Sequence, residues 1–251
     1  MMRPAAKTSR TLCAAVAALL SILPVAGQAA CRDMAFENAG YTLCDVALGE
    51  DLRLFHAGPT GVLGSFSAIE DVLATTGETL GFAMNAGMYH PDRAPVGLFV
   101  EEGLAKTPIV TSDGPGNFGL LPNGVFCLAE VFSVVESRAF ETAGHQCRFA
   151  SQSGPMLVIE GKLHPKFLRG SPSRFIRNGV GVSADGSQAV FAISNDPVNF
   201  HAFARLFRDA LGLPNALYFD GKISRLYAPQ LGRADFGFPM GPIVGTVVPK
   251  G

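Results

Sequence analysis

A chain of 251 residues with 20 basic and 21 acidic side chains carries a formal charge of −1, a balance that disfavours nucleic acid as a partner, because such binding calls for a basic face. Nineteen Phe without a single Trp, together with 29 Gly and 17 Pro, describe a well-filled core joined by many tight turns. Neither an internal repeat nor a low-complexity stretch breaks the chain, which is of a length suited to one sizeable domain.

The first elements concern targeting. Arg3, Lys7 and Arg10 precede an apolar run from Leu12 to Val25 broken only by Ser21 and Pro24, and small Gly27 and Ala29 follow. That order is the order of a cleavable secretory signal, so residues 1–30 read as a signal peptide and 31–251 as the folded domain, in the periplasm or secreted. The apolar run is shorter than the ~20 residues that span a bilayer, so no stable membrane anchor is expected. Cys31 sits where a lipid-modified cysteine would, but Gln28 stands where a lipoprotein signal carries an aliphatic residue. Loss of three cations and no acid takes the formal charge from −1 to −4. Removal of Cys13 leaves Cys31, Cys44, Cys127 and Cys147, an even set suited to two bridges in an oxidising compartment. Three pairings are possible; Cys31–Cys44 and Cys127–Cys147 are favoured because each flanks a short strand, turn and strand. No Cys-x-x-Cys spacing supports a zinc site.

Along the domain, alternation from Tyr41 to Phe55 with a turn at Gly49 predicts a β-hairpin. Ser67 to Glu70 has the spacing of a capping box, and Ile69, Val72 and Leu73 predict a short helix that Gly77 ends. Strands are predicted over Leu80–Met84, Val96–Val100, Gly124–Leu128, Val131–Val135, Met156–Ile159, Val180–Ser183 and Ala189–Ile193. A helix is predicted to open at Asp196-Pro197, with Phe200, Phe203, Phe207, Ala210 and Leu211 on one face, and to end at Gly212 and Pro214. A buried strand, Ala216–Phe219, follows. Many strands and few helices make the fold α+β, a single domain with a mixed β-sheet and a few packed helices.

Three polar clusters stand at the ends of these strands, where a rigid scaffold presents side chains. In the first, Asn85 offers a donor and an acceptor, and Gly87 lets backbone approach a ligand closely. In the second, Arg174 and Arg177 precede the Gly179-Val180-Gly181 strand, after His164 and the exposed-looking Gln152-Ser153-Gly154-Pro155. A guanidinium suits phosphate through paired N–H donors, and Arg177, two residues from Gly179, is the better placed. In the third, Asp220-Gly221 follows an apolar strand, where a carboxylate can do acid or base work. Each has an ordinary alternative, a strand-ending turn, a surface salt bridge and a hairpin turn respectively. No Gly-x-Ser-x-Gly elbow, His-Glu-x-x-His pair or phosphate-binding loop occurs, so the reading includes neither metal nor cofactor.

Taken in order, Asn85-Ala86-Gly87-Met88-Tyr89, Arg177-Asn178-Gly179-Val180-Gly181 and Asp220-Gly221-Lys222-Ile223-Ser224 resemble the Asn-Gly-Gly-aromatic, Arg-x-x-x-Gly and Asp-Gly-Gly-Gly-Ser elements of the phosphodiester glycosidase family. The resemblance spans roughly Phe82 to Tyr227. It implies an exported hydrolase that cleaves the glycosidic bond of a sugar-1-phosphodiester in an envelope or extracellular glycan, with a sugar-phosphate-containing glycan or small molecule as its partner. Asp220, Arg177 and Asn85 are then the catalytic candidates, and Gln152, Ser153, Gly87, Gly179 and Gly221 the substrate-binding ones, with Asp196 and Asp185 as reserve carboxylates. Ala86 replaces the first glycine of its element, and Lys222 and Ile223 replace two of the glycines after Asp220, making that loop stiffer and narrower. The shortened glycine run favours the alternative, a non-catalytic periplasmic glycan-binding protein using the same pocket.

Overall fold

The computed structural model of the chain describes residues 1–2, 30–59 and 61–251. Apart from Met1, Met2 and Ala30, the expected signal peptide lies outside the described residues. No helix among them is long and apolar enough to cross a membrane.

Sheet predominates, with three short α-helices at its margins, so the α+β class holds. The sheet expected as one mixed unit is distributed over three antiparallel sheets and a two-stranded ribbon. The largest has seven strands, in the spatial order Ala30–Phe36, Ala39–Ala47, Gln188–Ser194, Asn178–Val182, Asn215–Asp220, Met156–Ile159 and Lys162–Leu163. A second runs Arg233–Ala234, Leu226–Ala228, Glu78–Asn85, Ile243–Pro249 and Leu52–Phe55. The third runs Phe132–Glu136, Gly124–Leu128, Phe149–Ser153, Phe99–Glu101 and Leu104–Thr107.

Alternation along each strand divides the large sheet between two cores. Cys44, Val46, Val180, Phe191, Ile193, Leu217 and Phe219 face a core shared with Leu54, Phe82 and Met84 of the second sheet and Phe99, Phe126 and Phe149 of the third. Tyr41, Leu43, Val190, Ala192, Ala216 and Tyr218 face the other way, against Phe203, Leu206 and Phe207 of the late helix. Each of these phenylalanines is worth about 1.5–3 kcal/mol on burial, which is why a strand apolar on both faces lies centrally.

That two-sided burial corrects the predicted hairpin from Tyr41 to Phe55. Gly49 does turn the chain with φ 93°, but Ala39–Ala47 pairs with Ala30–Phe36 on one side and Gln188–Ser194 on the other. Leu52–Phe55 joins the second sheet instead, against Ile243–Thr246. The predicted strands Gly124–Leu128 and Met156–Ile159 coincide with those observed, and the others overlap them with shifted ends. Both predicted disulfides, Cys31–Cys44 and Cys127–Cys147, are formed.

Both helix caps lie elsewhere than expected. The first helix, Phe66–Ala74, is capped by Ser65, whose hydroxyl accepts from the Ala68 N–H, rather than by a Ser67–Glu70 box. Glu70 turns away to accept from Thr79 Oγ1 and the Leu80 N–H. The late helix, Phe200–Arg205, is capped by Asn199 through Ala202 N–H and continues into a wide π turn over Leu206–Ala210. Asp196, the expected cap, accepts from the Gly40 N–H and ties down the first hairpin.

Candidate functional site

The three polar clusters meet at one junction between the large sheet and the second sheet. Asn178 and Asp220 are paired residues at the same end of two adjacent strands, where the register shifts at Asn178–Gly179. A side chain on Gly179 would run into the Leu217 carbonyl, so this glycine permits the close approach of the two strands. From the second sheet, Asn85 Nδ2 donates to Asn178 Oδ1 at 3.1 Å while Asn178 Nδ2 donates to the Asn85 carbonyl at 2.7 Å. Asn85 Oδ1 accepts from the Arg225 N–H at 3.0 Å. Both Asn side chains are fully buried, and their mutual bonds latch one sheet to the other. Ser224 closes the junction, its hydroxyl lying within 3.2 Å of the Ile176 and Asp220 carbonyls and of Asn178 Oδ1.

Arg177, one residue before Asn178, is 1% exposed. Its Nε donates to the Val198 carbonyl at 2.9 Å, Nη2 to the Ser173 carbonyl at 3.1 Å and Nη1 to Tyr218 Oη at 3.1 Å. The guanidinium lies 3.8 Å from the Phe200 ring centroid, and Phe200 is itself stacked on Phe167 at 5.0 Å. Among the described residues no acidic side chain pairs with it, whereas Arg53, Arg148, Arg205 and Arg233 all have carboxylate partners. Burial pulls the Arg177 guanidinium below its usual value, with Tyr218 opposing. A guanidinium nevertheless keeps its proton, so Arg177 is a buried positive charge with no carboxylate bonded to it, an arrangement that is costly unless an anion is at hand.

Asp220 supplies the opposite sign nearby. Its Oδ1 accepts from the Gly221 N–H at 2.6 Å and the Lys222 N–H at 3.0 Å. Burial raises its carboxyl above the ordinary carboxylate value, and the Lys222, Gly221 and Ile223 amides and the Lys222 charge oppose that rise without cancelling it. Burial also pushes the Tyr218 phenol up strongly, which keeps it protonated, and the Asp220 charge adds to the effect while Arg177 opposes it. Gly221 lies directly over both groups: a Cβ there would fall well inside 3.0 Å of Tyr218 Oη and 3.3 Å from Arg177 Nη1. Tyr89 borders the same place, its phenol raised first by burial and then by Asp220, with Arg225 and Arg93 opposing.

The other expected binding residues occupy scaffold positions. Gln152 and Ser153, which look exposed in the sequence, are buried. Gln152 Oε1 accepts from the Leu98 and Val110 N–H groups, and its Nε2 donates to the Val110 carbonyl and Ser137 Oγ, which uses the whole amide. Ser153 Oγ donates to the Phe219 carbonyl. Gly87 packs against Ser151, where a Cβ would lie 2.9 Å from Oγ. The reserve carboxylates stand apart: Asp196 holds Gly40, and the exposed Asp185 sits in a turn whose hydroxyl and amide donors hold it at about 2. No group of three or more His, Cys, Asp or Glu among the described residues is placed to hold a metal ion.

Tyr218, Asn178 and Arg225 belong to the junction without having been named as site candidates from sequence, and Ser224, the serine that ends the Asp220 element, joins them. Tyr218 carried a signal, since it stands two residues before Asp220 in one strand and therefore shares its face. Asn178 carried none beyond lying between Arg177 and Gly179.

Residues 78–234 match the family model for phosphodiester glycosidases, a range that holds every junction residue named above. The chain is 40% identical over 146 residues to the uncharacterized protein YigE of Escherichia coli K12. That match covers 58% of this chain and 57% of YigE, so the chain spans little more than half the length of this relative. In fold it is similar to the auto-inhibited catalytic domain of zebrafish N-acetylglucosamine-1-phosphodiester alpha-N-acetylglucosaminidase, with a TM-score of 0.59 at 12% identity over 86% of this chain and 81% of that one. The matched range covers well over half of the chain and contains all three polar elements in order, and on that ground the protein belongs to the phosphodiester glycosidase family.

Proposed function

We propose that the protein is an exported hydrolase that cleaves the glycosidic bond of a sugar-1-phosphodiester in an envelope or extracellular glycan. The observation that carries this reading is the buried Arg177, bonded to no carboxylate, together with the half-buried Asp220 at one strand-end junction. In the reaction the oxygen of water bonds to the anomeric carbon, the bond from that carbon to the phosphate oxygen breaks, and the phosphomonoester departs with the electron pair. Asp220 accepts the proton of water and steadies the positive charge that develops on the sugar. Arg177, with Tyr218 Oη bonded to its Nη1, acts on the phosphate as a fixed field behind Gly221. Asn85, with Asn178, holds the two sheets in register, so its role is positioning. No cofactor enters the scheme. The two disulfides are compatible with a periplasmic or secreted location.

The test is incubation of purified protein with N-acetylglucosamine 1-(methyl phosphate), the linkage named for the zebrafish enzyme, and with its glucose and galactose counterparts. Free reducing sugar and methyl phosphate in equal amounts support hydrolysis. Retention of unchanged ligand on the protein supports the glycan-binding alternative instead.

A further inference from the structure

A cleft of about 490 Å³ opens between the first helix and the chain from Ala234 to Met240, and Arg225, whose N–H donates to Asn85, lines it. We propose that this cleft is a subsite for a neutral carbohydrate chain, the glycan that bears the phosphodiester, with Phe236 as its stacking surface. The inference rests on the hydrolase reading for the substrate, but the cleft's own chemistry points to the ligand.

Its volume lies within the range of small-molecule sites, roughly 300–1,000 Å³. Phe66, Tyr227 and Phe236 give apolar faces, while Ser67, Asp71 and Arg225 give hydroxyl, carboxylate and guanidinium groups. Phe236 is 95% exposed, although burying such a side chain is worth about 1.5–3 kcal/mol. The loop that carries it is held from beneath. Arg225 Nη1 donates to the Phe238 carbonyl, and Gly237, at φ 147°, packs so closely on the Arg225 guanidinium that a Cβ would not fit. An aromatic face carried on a held loop beside hydrogen-bonding groups matches a sugar ring, whose C–H face is apolar and whose rim is all hydroxyl.

Charge narrows the ligand further. Of the carboxylates that line the cleft, Asp235 is paired with Arg233 and Glu70 is bonded to Thr79 and the Leu80 N–H, which leaves Asp71 to accept from a sugar hydroxyl. The lining cation Arg225 is held on the Phe238 carbonyl, so among the described residues no cluster of free cations awaits a phosphate or an anionic lipid headgroup. Position then links the cleft to the reaction. The Arg225 N–H is bonded to Asn85, which is bonded to Asn178, the strand partner of Asp220. The cleft thus shares Arg225 with the junction where the phosphodiester would be cut. Its walls at 65–71 and 235–240 fall outside the family-matched range of 78–234, which makes the subsite a feature of this chain's own flanks.

The experiment is a binding titration, so it reads the subsite whether or not the protein hydrolyses anything. Isotope-labelled protein is titrated with cellotetraose, maltotetraose and chitotetraose, and in separate arms with inorganic phosphate and with phosphatidylglycerol vesicles. At least one tetrasaccharide shifts the ring resonances of Phe236 and Tyr227. Phe236→Ala weakens that binding by about fivefold or more, whereas Phe238→Ala, on the same loop but outside the cleft, changes it by less than about twofold. Phosphate leaves the Phe236 ring unmoved. Three silent tetrasaccharides, equal effects of the two variants, or vesicle binding that depends on Phe236 would each overturn the proposal, the last in favour of a membrane surface. Failure to hydrolyse any sugar phosphodiester would count against the enzymatic reading and leave this result standing.

Discussion

Replacing Gly221 by Ala tests how tightly the turn is fitted over Arg177. The new Cβ would fall well inside 3.0 Å of Tyr218 Oη, so one of the two must move on the order of 1 Å to reach ordinary contact. Tyr218 is fully buried, bonded to Arg177 and set edge-on to Phe200 at 4.7 Å, so the displacement falls on the turn and on Asp220. Overpacking of this kind costs about 1–3 kcal/mol, or roughly 2–12 °C in Tm for a domain of this size. In Tyr218→Phe the clashing oxygen is gone, and the next contacts of the added Cβ are the ring Cζ and Arg177 Nη1, both at 3.3 Å, tight but tolerable. The single Tyr218→Phe change loses the charged hydrogen bond and costs about 1.5–3 kcal/mol. The double variant is therefore expected to be less destabilised than the sum of the singles by about 1–2 kcal/mol, measured by urea unfolding followed with circular dichroism. Turnover should fall in Gly221→Ala by about 100-fold, since a misplacement near 1 Å is enough for that. Additivity of the two changes within ~0.5 kcal/mol would refute the steric argument.

Other outcomes follow from the same junction. Asp220→Asn should abolish release of sugar while ligand binding and Tm stay close to the parent values; near-normal turnover would make Asp220 a structural residue. Arg177→Lys should raise KM and lower Tm together, because Lys cannot serve Val198, Ser173 and Tyr218 at once and each charged bond is worth about 1.5–3 kcal/mol. Burial raises Asp220, so an ionised, working Asp220 gains activity as pH climbs through that raised value. The acid limb of kcat/KM should then lie above the ordinary aspartate pKa of ~3.9 and move further upward in Lys222→Gln, which removes a charge that lowers it; a downward move would contradict the assignment. Converting Cys127 and Cys147 to Ser opens a loop of 20 residues and should cost about 3 kcal/mol, visible as a Tm lowered by roughly 6–12 °C.

What was legible in the sequence was mostly local. Strand runs such as Gly124–Leu128 show themselves because apolar, β-branched and aromatic residues are bounded by turn formers, and the cysteine pairs flank hairpins that close over a short distance. The partner of Ala39–Ala47 was not legible, because Leu52–Phe55 lies next in sequence while its sheet mate, Ile243–Pro249, lies at the far end of the chain. Cap choice failed for a related reason. Asp196 and Asn199 are both competent caps, and what decides between them is the amide of Gly40, more than 150 residues away. Asn85, Arg177 and Asp220, chosen from three separate stretches of sequence, meet at one junction, but the environment of Arg177 was not foreseen. A guanidinium reads as a surface group until Phe200, Tyr218 and Ser173 are folded around it. Gln152 and Ser153 misled in the same sense, since their polarity serves carbonyl and amide groups of neighbouring backbone that would otherwise be buried without partners.

The Cys31–Cys44 bridge joins two residues that sit directly opposite each other in the first hairpin. A slip of one position would turn Cys31 to the face away from Cys44, so the bond can close only on a correctly aligned pair. Oxidation thus proofreads the alignment of an outermost strand, which is the part of a sheet most easily exchanged. Once closed, the bridge also forbids the trade of that strand between two copies, since swapping would require each Cys31 to leave the partner to which it is covalently joined. Strand exchange between copies should accordingly begin only in reduced protein.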